Sequence, residues 1–359
     1  MKGLTVQPDP RYWAGKRVGI TGGAGFLGWQ LTRLLLPVAR LVRVFGLRPA
    51  SEQLNRAIQS IDCVFGDVRD AAAMSRTLGD CDVIFHTAGT VGVWGRALEA
   101  MHEIHRDGTR NALNALAPHA RLVHTSSVVA VGATTHGAIL DESSPFELHD
   151  LKVDYVHAKR AAEEVAIEGA ARRDIVVVNP GYLLGPDDFE ASVMGRLCLR
   201  CWRGKMPMIP PGGLNFVDVR DVAMGHVLAA ERSERGRRYI LGGDNLSMPD
   251  FVRALALVRG QAPRWWPRMP GWLYTTVAAF AELRSRIVQR EPYPSFQHVR
   301  MSRYLWYYTS DRARRELGYD PRPLARTLED THRWYCETGQ LKPLTLLPTQ
   351  SDRPRREAA

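Results

Sequence analysis

The stretch Thr21-Gly22-Gly23-Ala24-Gly25-Phe26-Leu27-Gly28 limits what this chain can fold into more than any other. It follows an apolar run, Val18-Gly19-Ile20, that reads as a buried strand. It runs into Trp29-Gln30-Leu31-Thr32-Arg33-Leu34-Leu35-Leu36, which reads as a helix. A strand, a glycine turn and a helix in that order gather free backbone N–H groups and the positive helix end at one point. Such a point suits a pyrophosphate. Gly22 permits the tight turn, Gly25 lets phosphates approach the backbone, and Gly28 lets helix and strand pack closely. Glycine-rich turns are common by themselves; the flanking strand and helix make this one a dinucleotide site.

The rest of the first half repeats the alternation. Residues 41–45, 61–65, 83–86, 121–125 and 175–178 are apolar, β-branched runs, and helical stretches near 70–79, 97–117 and 153–172 separate them. Strands that are apolar throughout and alternate with helices require a parallel sheet covered on both faces, with ligands at the carboxyl ends of its strands. The expected fold is α/β, a Rossmann-type doubly wound parallel sheet with a smaller, mainly helical C-terminal substrate lobe. Residues 1–15 form an N-terminal arm and 16–184 the nucleotide-binding domain, to which 214–243 returns, with 215–219 as a strand of the main sheet. Residues 185–213 and 244–340 make the substrate lobe, and 341–359 a disordered basic tail. Within these, Asp221 is expected to cap the helix after 219, and Ser247 with Asp250 to form a capping box for 248–259. Helices are expected near 191–204, 311–317 and 324–337.

Composition narrows the function. No run approaches the roughly 18 apolar residues of a membrane span, and the N-terminus has no apolar signal core. Five scattered cysteines, Cys63, Cys81, Cys198, Cys201 and Cys336, fit reduced thiols of a cytoplasmic protein. Cys198 and Cys201 form a C-x-x-C with no second pair or nearby histidine, so they read as two thiols on one helical face, not a metal site. The other histidines show no metal spacing either. A net charge of +10 goes with a solvated basic surface, or with attraction to an acidic membrane or phosphorylated substrates. No nucleic-acid motif is present.

Tyr155-Val156-His157-Ala158-Lys159 is the second anchor. A tyrosine and a lysine four apart share a helix face, and an ammonium nearby lowers a phenol's pKa into a useful range for proton exchange. The same lysine can hold the ribose hydroxyls of a nucleotide. The strand at 121–125 ends in hydroxyl residues, and Ser127, Ser126 or Thr125 can hydrogen-bond a substrate oxygen while Tyr155 exchanges its proton.

TGGAGFLG, Asp67-Val68, HTAG at 86–89, TSS at 125–127, YVHAK at 155–159 and NPGYLLGP at 179–186 together resemble the extended short-chain dehydrogenase/reductase (NAD-dependent epimerase/dehydratase) family. LNFVDVRDVAMGH, RRYILGGDNLS and SDRARRELGYDPRPL extend the resemblance across residues 16–337. Similarity is greatest to hopanoid-associated sugar-epimerase-like members, then to 3β-hydroxysteroid dehydrogenases and dihydroflavonol reductases. The resemblance implies that Ser127, Tyr155 and Lys159 are catalytic. Gly22, Gly25, Phe26, Leu27 and Gly28 would hold the phosphates, Asp67 and Val68 meet the adenine, and Ala88 and Gly89 line the nucleotide. The backbone from Pro180 to Leu183 would lie beside the nicotinamide. It also implies a homodimer paired through the helices at 97–117 and 153–172.

Two positions depart from the family pattern. His105 stands where the family carries an asparagine before Gly-Thr, which puts the usual water relay in doubt, and Asn111 lies too far along to replace it. At the end of the second strand the chain has Gly46-Leu47-Arg48 and no carboxylate. An arginine there suits a 2′-phosphate, so NADP(H) is expected ahead of NAD(H). The expected activity is hydride transfer between a nicotinamide and a secondary alcohol or ketone. The alternatives are a nucleotide-sugar epimerase or dehydratase with tightly bound cofactor, and a non-catalytic sensor. Val91 and Trp94, just after the fourth strand, are expected to line the substrate pocket. Trp265, Trp266, Trp272 and Tyr274 can line an apolar pocket, rest on a membrane surface, or pack the smaller lobe. The substrate expected is small, with a lean toward a bulky apolar one.

Overall fold

The structure, a computed structural model, describes residues 7–49, 51–92, 94–206, 208–260 and 267–342. Its strands in chain order are β1 (Arg17–Thr21), β2 (Leu41–Gly46), β3 (Asp62–Phe65), β4 (Val83–His86), β5 (Arg121–Thr125) and β6 (Asp174–Pro180). They continue as β7 (Tyr182–Leu184), β8 (Gly213–Asp218), β9 (Arg238–Leu241), β10 (Asp244–Ser247) and β11 (Leu305–Trp306). Seven of them make one parallel sheet in the order β3-β2-β1-β4-β5-β6-β9. All four residues of β4 are buried, as the unbroken apolar runs require of strands covered on both faces. Helices Phe26–Leu35 and Val219–Arg232 cover one face, sharing a core with Val18, Ile20, Phe85 and Val178. Helices Ala71–Leu78, Gly108–Ala115 and Asp154–Gly169 cover the other. The chain turns outward in both directions from β1 and β4, and the crevice above that reversal is where such sheets take ligands.

A second, smaller sheet joins β10, β8 and β11, with β7 on the far side of β8. Around it pack helices Val193–Trp202, Met248–Val258 and Leu324–Glu337, with Trp202, Phe251 and Tyr335 in their common core. Phe216 stacks flat on Phe251, centroids 3.9 Å apart.

Several expectations need correction. Residues 215–219 do not join the main sheet: β8 pairs with β7, β10 and β11, and only β9 of the returning segment pairs there, against β6. Both strands have an apolar, buried pattern, so their sequences do not say which sheet they enter. The cap of helix Val219–Arg232 is Asp218, whose carboxylate accepts the Arg220 amide; Asp221 instead grips Arg322. Ser247 does cap its helix through the Asp250 amide. The helix expected over 97–117 is broken into Gly95–Glu99, a π-turn over Glu103–Asp107, and Gly108–Ala115. The described part of the arm is tied down: a short helix, Pro10–Trp13, buries Trp13 against Phe85 and bonds its indole N–H to Glu231. Trp265, Trp266, Pro207 and nearly all of the tail lie outside the described residues.

Candidate active site

The glycine turn is built as its residues dictate. Gly22 has φ of 68°, and its N–H bonds the Phe45 carbonyl at 2.7 Å, tying the turn to the end of β2. A Cβ on Gly28 would lie 2.1 Å from the Gly22 carbonyl oxygen, so helix Phe26–Leu35 can sit this close to the strand only with glycine there. Gly25 is the N-cap and offers no side chain, which leaves the first-turn amides of Phe26, Leu27 and Gly28 uncapped. A cradle a side chain would fill, ending in uncapped amides, fits a dinucleotide pyrophosphate. Gly22 also abuts the Ala88 backbone at the end of β4, where Thr21 Oγ1 accepts the Ala88 amide at 3.3 Å.

Asp67 and Val68 follow β3. Arg69 grips the Asp67 carboxylate at 2.7 Å and holds its pKa below the usual range. Val68 is buried on Gly108, and Asn111 donates to the Val68 and Arg69 carbonyls at 2.9 and 3.1 Å. Asn111 therefore fixes the loop after β3 and cannot act in the place of His105. Arg48 is exposed three residues beyond Phe45 and lies over the Phe65 ring, 4.0 Å from its centroid. No carboxylate stands between the end of β2 and this guanidinium.

Tyr155 is in the first turn of helix Asp154–Gly169, and Lys159 lies one turn later. Ser127, which begins a short 3-10 turn after β5, is the hydroxyl close enough to the phenol to lower its pKa. Thr125 Oγ1 is taken by His226 at 2.9 Å, and Ser126 Oγ is buried without a partner among the described residues. Of the three hydroxyls, Ser127 is the one that acts on Tyr155. Burial pushes the Tyr155 phenol up to about 12, outweighing the lowering by Ser127. This reverses the sequence expectation of a lowered phenol. Lys159 Nζ donates to the Thr125 carbonyl at 3.0 Å, and burial pulls its pKa down to about 8 against the favourable charge of Glu163.

Parts of the site have no signal in the expected list. Asn179 at the end of β6 donates to the Ser127 carbonyl at 2.9 Å and to Glu163 at 2.5 Å, and Glu163 pairs with Arg238 at 2.6 Å. Asn179 lies within the NPGYLLGP run and Glu163 is four residues past Lys159; both could have been found by asking what pairs a buried lysine. His105 bonds the Thr90 carbonyl at 2.8 Å through Nε2, packs under Gly89, and meets the Tyr155 ring edge-on, centroids 5.9 Å apart. Burial drops its pKa to about 3, so it stands neutral beside the phenol. Pro180 ends β6, Leu183 packs on the main core from β7, and between them the Tyr182 hydroxyl is buried with no partner among the described residues. Val91 is half exposed and lines a cavity of about 140 Å³ with Val193, Arg196, Arg200, Tyr293 and His298. Trp94 does not line it. Among the described residues no group of acidic, histidine or cysteine side chains is placed to hold a metal, and Cys198 and Cys201 are free, buried thiols.

Comparison with known proteins gives these residues a context. The family model described as "NAD dependent epimerase/dehydratase family" matches residues 18–242. A Synechocystis sp. protein provisionally named as a dihydroflavonol 4-reductase is 36% identical, with 90% of this chain and 95% of the other covered. The sterol demethylase protein B of Methylococcus capsulatus is 30% identical over 90% of this chain and 99% of its own. Among solved structures, gox2253 superposes with a TM-score of 0.77 at 31% identity, covering 91% of this chain and 100% of that one.

Proposed function

Because the chain belongs to the NAD-dependent epimerase/dehydratase family, and so is an enzyme of the extended short-chain dehydrogenase/reductase type, we propose that it moves a hydride between a nicotinamide dinucleotide and the carbon of a secondary alcohol or ketone. The observation that carries this reading is the Tyr155 phenol beside Ser127, with Lys159 buried one helical turn away and its Nζ on the Thr125 carbonyl. The cofactor, when bound, supplies the site that gives or accepts the hydride. The side chains do the rest. Uncapped amides at Phe26, Leu27 and Gly28 take the diphosphate, while Asp67 and Val68 frame the adenine end. Ala88, Gly89 and the Pro180–Leu183 backbone line the remaining length. Ser127 holds the substrate oxygen beside Tyr155, which gives a proton to a ketone oxygen or takes one from an alcohol. Lys159 holds ribose hydroxyls and offsets negative charge that develops on the phenol.

The cofactor is NADP(H) in this reading, since Arg48 offers a cation for a 2′-phosphate where a carboxylate would be needed to favour NAD(H). Substrate enters beside Val91, and the names of the relatives, a sterol protein and a human 3 beta-hydroxysteroid dehydrogenase type 7 among them, support an apolar alcohol or ketone. Two copies pair through helices Gly108–Ala115 and Asp154–Gly169, as the family resemblance suggests. Tyr155→Phe should lower kcat at least about a hundredfold, the loss expected on removing a general acid, with dinucleotide Kd within about threefold. Near-normal turnover in that variant sinks the assignment. Purified protein that keeps its dinucleotide and shows no net change in its redox state, while converting a sugar nucleotide, selects an epimerase instead.

A further inference from the structure

The helix Gly271–Val288 presents its larger apolar side chains outward. Its inner side is thin: Tyr274, Ala278 and Ser285 are the buried residues, and Tyr274 and Ala278 rest on Val299 and Phe296. Its one carboxylate, Glu282, turns inward to accept the Phe296 amide at 2.8 Å. On the outer side Trp272, Phe280, Leu283 and Ile287 are 72%, 69%, 59% and 78% exposed. At the pitch of an α-helix these four fall within a sector about 80° wide along the whole helix. A continuous exposed strip of this kind marks an interaction surface, whereas isolated apolar residues do not.

The borders of the strip say what covers it. Arg284 and Arg286 flank it on the helix, Arg268 precedes it and Arg290 follows, all four exposed, and no acid lies on the outer face. A second copy laid strip to strip would set these arginines against their own kind. An anionic lipid surface satisfies both features, acyl chains taking the strip and headgroups the guanidiniums. Trp272 has the amphipathic ring favoured at such a boundary. Among the described residues no helix is long and apolar enough to cross a membrane, so the contact is with the surface. We propose that helix Gly271–Val288 docks the protein in the plane of an anionic bilayer.

Docking also bears on the substrate. Tyr293 and His298 line the cavity that holds Val91, and Val299, the next residue, is part of the floor under the helix. Helix and cavity share a wall, so a docked molecule takes an apolar alcohol or ketone directly from the lipid. That consequence rests on the function proposed above; the docking itself does not.

The test is co-sedimentation of the full chain with vesicles of phosphatidylcholine alone or mixed with phosphatidylglycerol, at low and high salt. Wild type should bind the mixed vesicles, more weakly as salt rises, and bind phosphatidylcholine poorly. Trp272→Ser/Phe280→Ser/Ile287→Ser should lower partitioning at least about a hundredfold, and Arg284→Gln/Arg286→Gln roughly fivefold per arginine. Both variants should keep the wild-type circular dichroism and Tm, since the side chains removed are mostly exposed. Three results overturn the proposal: no sedimentation of wild type with anionic vesicles, unchanged sedimentation of the triple variant, or a triple variant that splits a dimer without altering sedimentation. Tyr155→Phe should sediment like wild type, so failure of the enzymatic reading leaves this one standing.

Discussion

Lowering the pH from 7.5 to 5.5 sets four buried histidines against the folded state. His86, His105, His124 and His226 all lie inside the protein. Burial pulls their pKa values down, to about 3 for His86 and His105, to about 4 for His226, and well below the ordinary value for His124. In the unfolded chain each titrates near 6.5. Below that pH the unfolded state binds protons that the native state refuses, so stability is full above about 6.5 and falls as pH drops toward the native values. At pH 5.5 each histidine costs about 1.3 kcal/mol relative to pH 7.5, and the four together about 5 kcal/mol, a large part of the roughly 5–15 kcal/mol that holds a native protein. Asp188 and Asp221, raised by burial, work in the opposite sense. Urea unfolding at the two pH values and one ionic strength measures the difference. His124→Phe isolates one contributor, because both of its ring nitrogens lack partners among the described residues and its ring only stacks on His86, centroids 5.7 Å apart. That variant should match wild type at pH 7.5 and lose up to about a quarter of the pH dependence, since His298 and His332, also lowered by burial, add to the slope. Equal stability of wild type at both pH values, within about 1 kcal/mol, refutes the reasoning.

Two further substitutions probe the dinucleotide cradle. Gly28→Ala places a methyl 2.1 Å from the Gly22 carbonyl oxygen, a backbone contact no rotamer relieves. It should cost about 3 kcal/mol of stability and at least about tenfold in dinucleotide affinity, read by thermal melts and isothermal titration; a wild-type Tm and Kd would disprove the packing argument. Arg48→Glu should weaken NADPH about 10- to 100-fold, the worth of a charge-assisted hydrogen bond, and leave NADH within about threefold; an unchanged ratio of the two dissociation constants would remove Arg48 from the site.

What could be read from the sequence was whatever depends on neighbours along the chain. The glycine turn, the apolar strands and the Tyr155–Lys159 spacing each carry their geometry in a few residues, and helices Asp311–Leu317 and Leu324–Glu337 fall where their periodicity put them. Strand partners were not legible. β8 and β9 have similar patterns yet enter different sheets, a choice made by which buried faces remain to be covered. The pairing of Asp221 with Arg322 depends on a segment a hundred residues away, and it leaves the cap to Asp218, two residues before Arg220. Charge was misread for a similar reason. The spacing of Tyr155 and Lys159 predicts a lowered phenol, but the sequence does not show how deeply the pair is buried, and burial dominates.

That burial sets the protonation states of the pair. A phenol at about 12 and an amine at about 8 have both moved toward their neutral forms, as desolvation demands of groups with opposite charge types. At neutral pH the phenol still holds its proton and the amine remains largely charged. Glu163 accounts for the second fact. Four residues beyond Lys159, it keeps a carboxylate inside the protein, pinned by Arg238 at 2.6 Å and Asn179 at 2.5 Å, and its field supports the ammonium against desolvation. Asn179 in turn bonds the Ser127 carbonyl, so the amide that pins Glu163 also fixes the serine beside the phenol. A phenol that holds its proton beside a positioned serine can give it to a substrate oxygen. In the proposed reaction Tyr155 begins as the acid for a ketone oxygen; to act as base on an alcohol it must first lose its proton, which positive charge brought close to it favours and burial opposes.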